Sequence, residues 1–235
     1  MVEAPTLREM LDAGVHFGHK TSRWSPKMAP YIYVAKTGVH VVNLEKTAEK
    51  LAEAVNFIRK EAVSGKVFVF VGTKKQSGDI IKEAALSCGM PYVNVRWLGG
   101  TLTNFDMIKN SVKTFRKQKE ELENPNSELS KSELSKIRKE VEHGEKYLGG
   151  LDKFERKPDA LILFGSHDEK IAAREAKKVG VPIVALVDTN ADPTGIDYPI
   201  PANDDATKSV KLFAELFAAI ITESKMNKVV EEKKE

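Results

Sequence analysis

Three short runs, at residues 67–71, 160–164 and 182–187, are nearly continuous stretches of apolar, largely β-branched or aromatic residues. A strand apolar on both faces has no wet side, so it belongs inside a parallel sheet covered by helices. Weaker strand patterns lie at 39–44 and 92–95. Helical patterns fall between them, at 45–64, 76–88, 168–179 and 206–224. In the first, Leu51, Val55, Ile58 and Ala62 recur at helical spacing and make one apolar stripe. Gly65, Gly89 and Gly180 follow three of these segments, where a helix usually ends on a left-handed residue. The alternation predicts an α/β fold, a parallel sheet with helices on both faces. At 235 residues the length allows one large domain or one plus an appendage.

One segment breaks the alternation. Residues 106–147 carry 10 basic and 9 acidic residues with few aromatics. Ile108, Val112, Phe115 and Leu122 keep a heptad-like beat, and Leu134, Ile137, Val141 and Leu148 repeat it after Pro125 and Asn126. Ser130 and Glu133 match a capping box at the start of the second helix. The expectation is an antiparallel coiled-coil hairpin at 105–148, closing mainly on itself and projecting from an α/β domain. That domain takes 1–104 and 149–224 and includes a basic N-terminal arm at 13–44; a charged tail follows at 225–235.

Several chemistries are excluded or weakened. Cys88 is the single cysteine, so neither a disulfide framework nor a Cys-clustered metal site exists within the chain. The longest apolar runs fall well short of the roughly 18 residues that span a bilayer. The Met1–Pro5 start lacks the basic and apolar regions of a secretory signal and the Arg/Ser-rich character of a transit peptide, which argues for a cytosolic protein. No Gly-x-Gly occurs, so the dinucleotide fingerprint is absent. Val71-Gly-Thr-Lys-Lys-Gln76 sits where a phosphate loop would but lacks the Gly-Lys-Ser/Thr ending. Lys74 and Lys75 could still meet a phosphate at the helix start; a plain turn with solvated lysines explains them equally well. Ser166-His167-Asp168 holds triad residue types, but adjacent side chains diverge whereas triad partners converge. His16 and His19 have no third ligand nearby in the sequence, and no metal or other cofactor is assigned. Between Lys178 and Lys208 stand five Asp and no Lys or Arg. Pro193 and Pro199 exclude an EF-hand there; turns and a helix cap account for the carboxylates, with a magnesium site as the alternative.

The decisive signal is charge distribution rather than the net charge of +3. The 32 residues between Asp12 and Glu45 contain no acid. They hold Lys20, Arg23, Lys27 and Lys36, interleaved with Phe17, Trp24, Tyr31 and Tyr33. Cations supply phosphate affinity, and aromatic planes stack on unpaired bases. The Gly, Pro and Ser punctuation suggests an exposed loop. A second acid-free window, 107–119, carries Lys109, Lys113 and Arg116 at the hairpin base. Between the windows, Gly99-Gly100 would let backbone approach a partner closely, flanked by Arg96 and Asn104. Each window alone reads as a solvated face; the three together favour nucleic acid.

The chain resembles a known family, the bacterial small-subunit ribosomal protein S-two. The stretches that carry the resemblance are Gly14-Val-His-Phe-Gly-His19, Trp24-Ser-Pro-Lys-Met28, Phe70-Val-Gly-Thr-Lys74, Cys88-Gly-Met-Pro-Tyr-Val-Asn94, Arg96-Trp-Leu-Gly-Gly-Thr-Leu-Thr-Asn104, Val187-Asp-Thr-Asn190, Gly195-Ile-Asp197 and Asn203-Asp-Asp-Ala206. Ala191, Ala202 and Lys170 depart from the family pattern. The resemblance implies a flavodoxin-like three-layer αβα domain with a helical hairpin, and a structural, non-enzymatic role. Its implied partners are small-subunit rRNA, neighbouring small-subunit proteins and, in some bacteria, the large RNA-binding protein S-one. Neither a membrane nor a small-molecule substrate is implied, and the setting is the bacterial cytoplasm more readily than a plastid. Lys20, Arg23 and Lys27 are then expected on phosphates, Trp24 stacked or packed under RNA, and Arg96 and Asn104 in closer contacts. Lys36, Lys74, Lys75, Lys109, Lys113 and Arg116 would extend the basic face. The rival reading is a magnesium-dependent flavodoxin-like enzyme using Asp188 and Asp192 on a phosphorylated small molecule.

Overall fold

The computed structural model describes residues 2–124, 130–152 and 154–232. The turn expected at Pro125 and Asn126, and the last three residues of the tail, lie outside them. In chain order the elements are α1 (Leu7–Asp12), β1 (Phe17–Lys20), β2 (Ile32–Lys36), β3 (Val39–Val42), α2 (Leu44–Val63), β4 (Phe68–Val71), α3 (Gly78–Ser87), β5 (Tyr92–Val93), α4 (Phe105–Glu123), α5 (Lys131–Leu148), β6 (Ala160–Phe164), α6 (Lys170–Val179), β7 (Ile183–Val187), β8 (Tyr198–Pro201) and α7 (Thr207–Glu232). Short 3-10 turns occupy Thr21–Arg23, Pro26–Tyr31 and Gly149–Leu151.

The apolar runs form a parallel sheet ordered β5-β4-β6-β7-β8. This is the flavodoxin-like order, with its switch point between β4 and β6. Strand residues alternate between two cores, as a period of two demands. Phe68, Phe70, Ile162, Phe164, Val184 and Leu186 join α2, α3 and α7 in one cluster. Val69, Val71, Leu161, Leu163, Ala185 and Val187 join the second cluster, which includes Ala172 and Ala176 of α6. The predicted stripe of α2 is buried at Leu51, Val55, Ile58 and Ala62. Gly65, Gly89 and Gly180 all have positive φ, as helix-terminating glycines should. Helix α7 continues through Glu232, past the expected end at 224.

The pair α4 and α5 departs from the expectation in its packing. The two helices run in opposite directions: Gln118 bonds Glu140, and the Phe115 ring lies against Gly144. Ser130 and Glu133 form the capping box read from the sequence. The apolar stripe, however, does not close only on itself. Phe105, Ile108 and Val112 belong to the second core cluster, with Leu151 and Phe154. The first turns of α4 are therefore part of the domain's packing.

Candidate nucleic-acid interface

The acid-free arm is a folded sheet rather than the loop its glycines and prolines suggested. Strands β1, β3 and β2 form an antiparallel sheet in that order. Lys36 pairs with Val39 across a two-residue turn, Thr37-Gly38, with φ of 49° and 77°. Positive φ at both positions is the turn whose twist matches a β-hairpin. That turn, flanked by Tyr31-Ile-Tyr-Val34 and Val39-His-Val-Val42, was the sequence signal for the sheet. Phe17, Trp24 and Tyr33 are exposed, whereas Tyr31 is partly buried against the second core. The Trp24 ring lies over His40, with centroids 5.0 Å apart.

The arm lies on the C-terminal end of the parallel sheet, joined to the loop after β7. The Ser25 amide donates to the Thr189 carbonyl at 2.7 Å, and the His19 amide donates to the Thr189 hydroxyl at 2.8 Å. Gly18 makes this possible: a Cβ there would stand 2.6 Å from the Thr189 methyl. Asn203, after β8, donates to the Val15 and Gly14 carbonyls. Lys27 reaches Asp192 at 2.7 Å, and this contact holds the Asp192 carboxyl down at about 2.

Beneath the arm, at the switch point, lies a charge cluster. Lys74 is enclosed by Asp204, Asp205 at 2.7 Å and Asp168 at 3.2 Å. Burial works against its charge, but the carboxylates outweigh burial and raise its pKa. Asp204 is almost wholly buried beside Asp188, and its pKa is pushed up to about 7 by burial first and by that neighbouring charge second. His19 Nδ1 lies 3.1 Å from Asp188, and its Nε2 lies 3.2 Å from Asp205. The hydrogen bond to Asp188 raises the imidazole pKa. His19, Asp188 and Asp205 offer ligand atoms within 4.8 Å of one another. One imidazole and two carboxylates could hold a divalent cation. Sequence spacing missed this grouping because the carboxylates arrive from 169 and 186 residues away. The Ser166-His167-Asp168 trio makes no internal hydrogen bond among the described residues; Asp168 serves Lys74 instead.

The 96–104 loop is organised around one carboxylate that the sequence did not single out. Glu175 of α6 accepts from the Gly100, Leu102 and Thr103 amides at 2.7, 3.0 and 3.2 Å, and from Trp97 Nε1 at 3.2 Å. Burial pushes this carboxyl up; the backbone donors outweigh it and lower the pKa. The partner that the paired glycines admit is thus internal. Gly100, at φ 94°, sits where an L-residue would be strained.

The expected RNA-facing residues divide accordingly. Lys20, Arg23, Lys36, Lys75, Arg96 and Lys113 are exposed, and none makes an ion pair among the described residues. Lys109 and Lys113 share a shallow cleft with Arg116 at the base of α4. Arg116 is already held by Asp152 at 2.7 Å. Asn104 sits at the start of α4, its amide near the Met107 sulfur at 3.3 Å. Lys74 points inward, away from any surface face. Against this geometry, a family model described as ribosomal protein S2 matches residues 10–224, nearly the whole chain.

Proposed function

The chain belongs to the ribosomal protein S2 family, and from that premise we propose that it is a non-enzymatic, rRNA-binding component of the small ribosomal subunit. Membership supports a ribosomal-protein role in translation, within a ribonucleoprotein. The observation that carries the finer reading is the arm: a small antiparallel sheet and its adjoining turn present Lys20, Arg23 and Lys36, none in an ion pair among the described residues, beside exposed Phe17, Trp24 and Tyr33. Unpaired cations beside open aromatic rings suit phosphates next to unstacked bases. Arg96, Lys75, Lys109 and Lys113 extend that cationic surface. Neighbouring small-subunit proteins, and protein S-one where present, are further partners under the same proposal.

The enzyme reading relied on Asp188 and Asp192 acting together, but Asp192 pairs with Lys27 and is not part of the His19–Asp188–Asp205 grouping in the crevice. Asp188 and Asp204 are 1% exposed each, and Lys74 and His19 already hold that cluster. Gradient sedimentation of a lysate tests the proposal: the chain should co-migrate with small subunits and be released by high salt. Migration only at the top of the gradient at low salt would overturn it.

A further inference from the structure

Helix α6 separates its charges by face. Its inward carboxylates and the acids around it all have partners elsewhere. Glu169 accepts from the Thr73 amide and hydroxyl, Glu175 holds the 96–104 loop, Asp168 pairs with Lys74, and Asp192 pairs with Lys27. Lys170, Arg174 and Lys177 lie on the outward face and make no ion pair among the described residues. They line a cleft of about 440 Å³ between α6 and the loop after β7. Ser166 also lines it, 7% exposed, its hydroxyl buried without a hydrogen-bond partner and its amide already bonded to the Leu186 carbonyl. The Asp192–Lys27 pair sits on the rim, so the cleft adjoins the arm.

We propose that this cleft is a second RNA-backbone site, continuous with the arm. The three cations span about 10 Å along the helix at 1.5 Å per residue, enough to follow a strand through more than one phosphate. Ser166 supplies a neutral donor at the floor, and Ala173 and Ile196 supply an apolar wall. The proposal rests on the rRNA-binding reading and adds four residues to it: Ser166, Lys170, Arg174 and Lys177.

The test is a salt-titrated binding assay of the full chain with small-subunit rRNA. The triple variant Lys170→Ala, Arg174→Ala, Lys177→Ala should lose about 0.7–0.9 of log–log salt slope per phosphate contact removed. Between 50 and 200 mM salt the wild-type affinity should therefore fall about 20- to 40-fold more than the variant's. Ser166→Ala should weaken binding with the slope unchanged, because it removes no charge. An unchanged melting temperature by circular dichroism confirms that each variant is folded; if the triple variant is not, Arg174→Glu alone replaces it. If arm variants weaken binding while the cleft variants match wild type in affinity and slope, the cleft is solvated and this proposal falls alone. If the wild type does not prefer small-subunit rRNA to unrelated RNA, the reading itself falls, and the cleft with it.

Discussion

Glu175 accounts for a feature that sequence inspection assigns to a ligand. Arg96-Trp-Leu-Gly-Gly-Thr-Leu-Thr-Asn104 has the glycines and polar residues of a binding loop, yet its amides converge on this internal carboxylate. Nothing in the local sequence marks Glu175, because its partners lie over 70 residues away. Replacing it with Ala leaves buried donors, the Trp97 indole and the Leu102 amide among them, without an acceptor. Each such donor costs about 1–3 kcal/mol. For a chain of this size each kcal/mol is about 2–4 °C of melting temperature. Glu175→Ala should therefore melt well below wild type, and Glu175→Gln, which keeps an acceptor oxygen, should melt between them. Equal melting temperatures for all three would show that the loop is held by other means. The same distance problem hides Lys74: its sequence context reads as a phosphate loop, but the carboxylates that enclose it come from 94 and 130 residues downstream. Arg116 and Lys27 likewise have carboxylate partners that no local pattern reveals.

Elements were easier to read than sites. The buried strands and amphipathic helices announce themselves through periodicity, which is local, and apart from the longer C-terminal end of α7 the structure moves their ends by only a few residues. Three edge strands, β8, β1 and β2, escaped for physical reasons. Strand β8 contains Pro199 and Pro201, which cannot donate in a ladder and mask it as a turn. Strands β1 and β2 of the arm are exposed at most positions, so they lack the apolar alternation that marks a half-buried sheet, whereas β3, buried at alternate positions, falls within the predicted run at 39–44. That exposure sets up a prediction. Lys20→Ala, Arg23→Ala and Lys36→Ala together should lower the salt slope of rRNA binding by about 2–2.7 if each meets a phosphate. Lys27→Ala should change it less, because its ammonium already serves Asp192. A slope that ignores the triple variant but responds to Lys27 would invert the assignment.

At the scale of the molecule, the charge cluster under the arm makes stability depend on pH. Asp204 titrates at about 7 when folded, against about 4 when unfolded. It thus binds its proton more tightly in the folded state, and its contribution falls as pH rises through that window. His19 acts in the same sense: its folded pKa is raised by Asp188, so its stabilisation is present below about 6.5 and is lost as pH climbs through the raised value. Burial lowers the His16 pKa and works in the opposite sense, so the test is a difference: from pH 5 to pH 7 the wild type should lose melting temperature relative to Asp204→Asn. Parallel profiles for the two proteins would place the titration elsewhere. The seam between Gly18 and Thr189 also has a consequence in time. The arm is synthesised before its seat, which lies about 170 residues further along the chain. At roughly 5–20 residues per second, a nascent arm waits about 10–35 s before Thr189 and Asn203 exist to receive it. Through that interval only the arm's own strand pairing can hold it, because the seam that seats it on the parallel sheet does not yet exist.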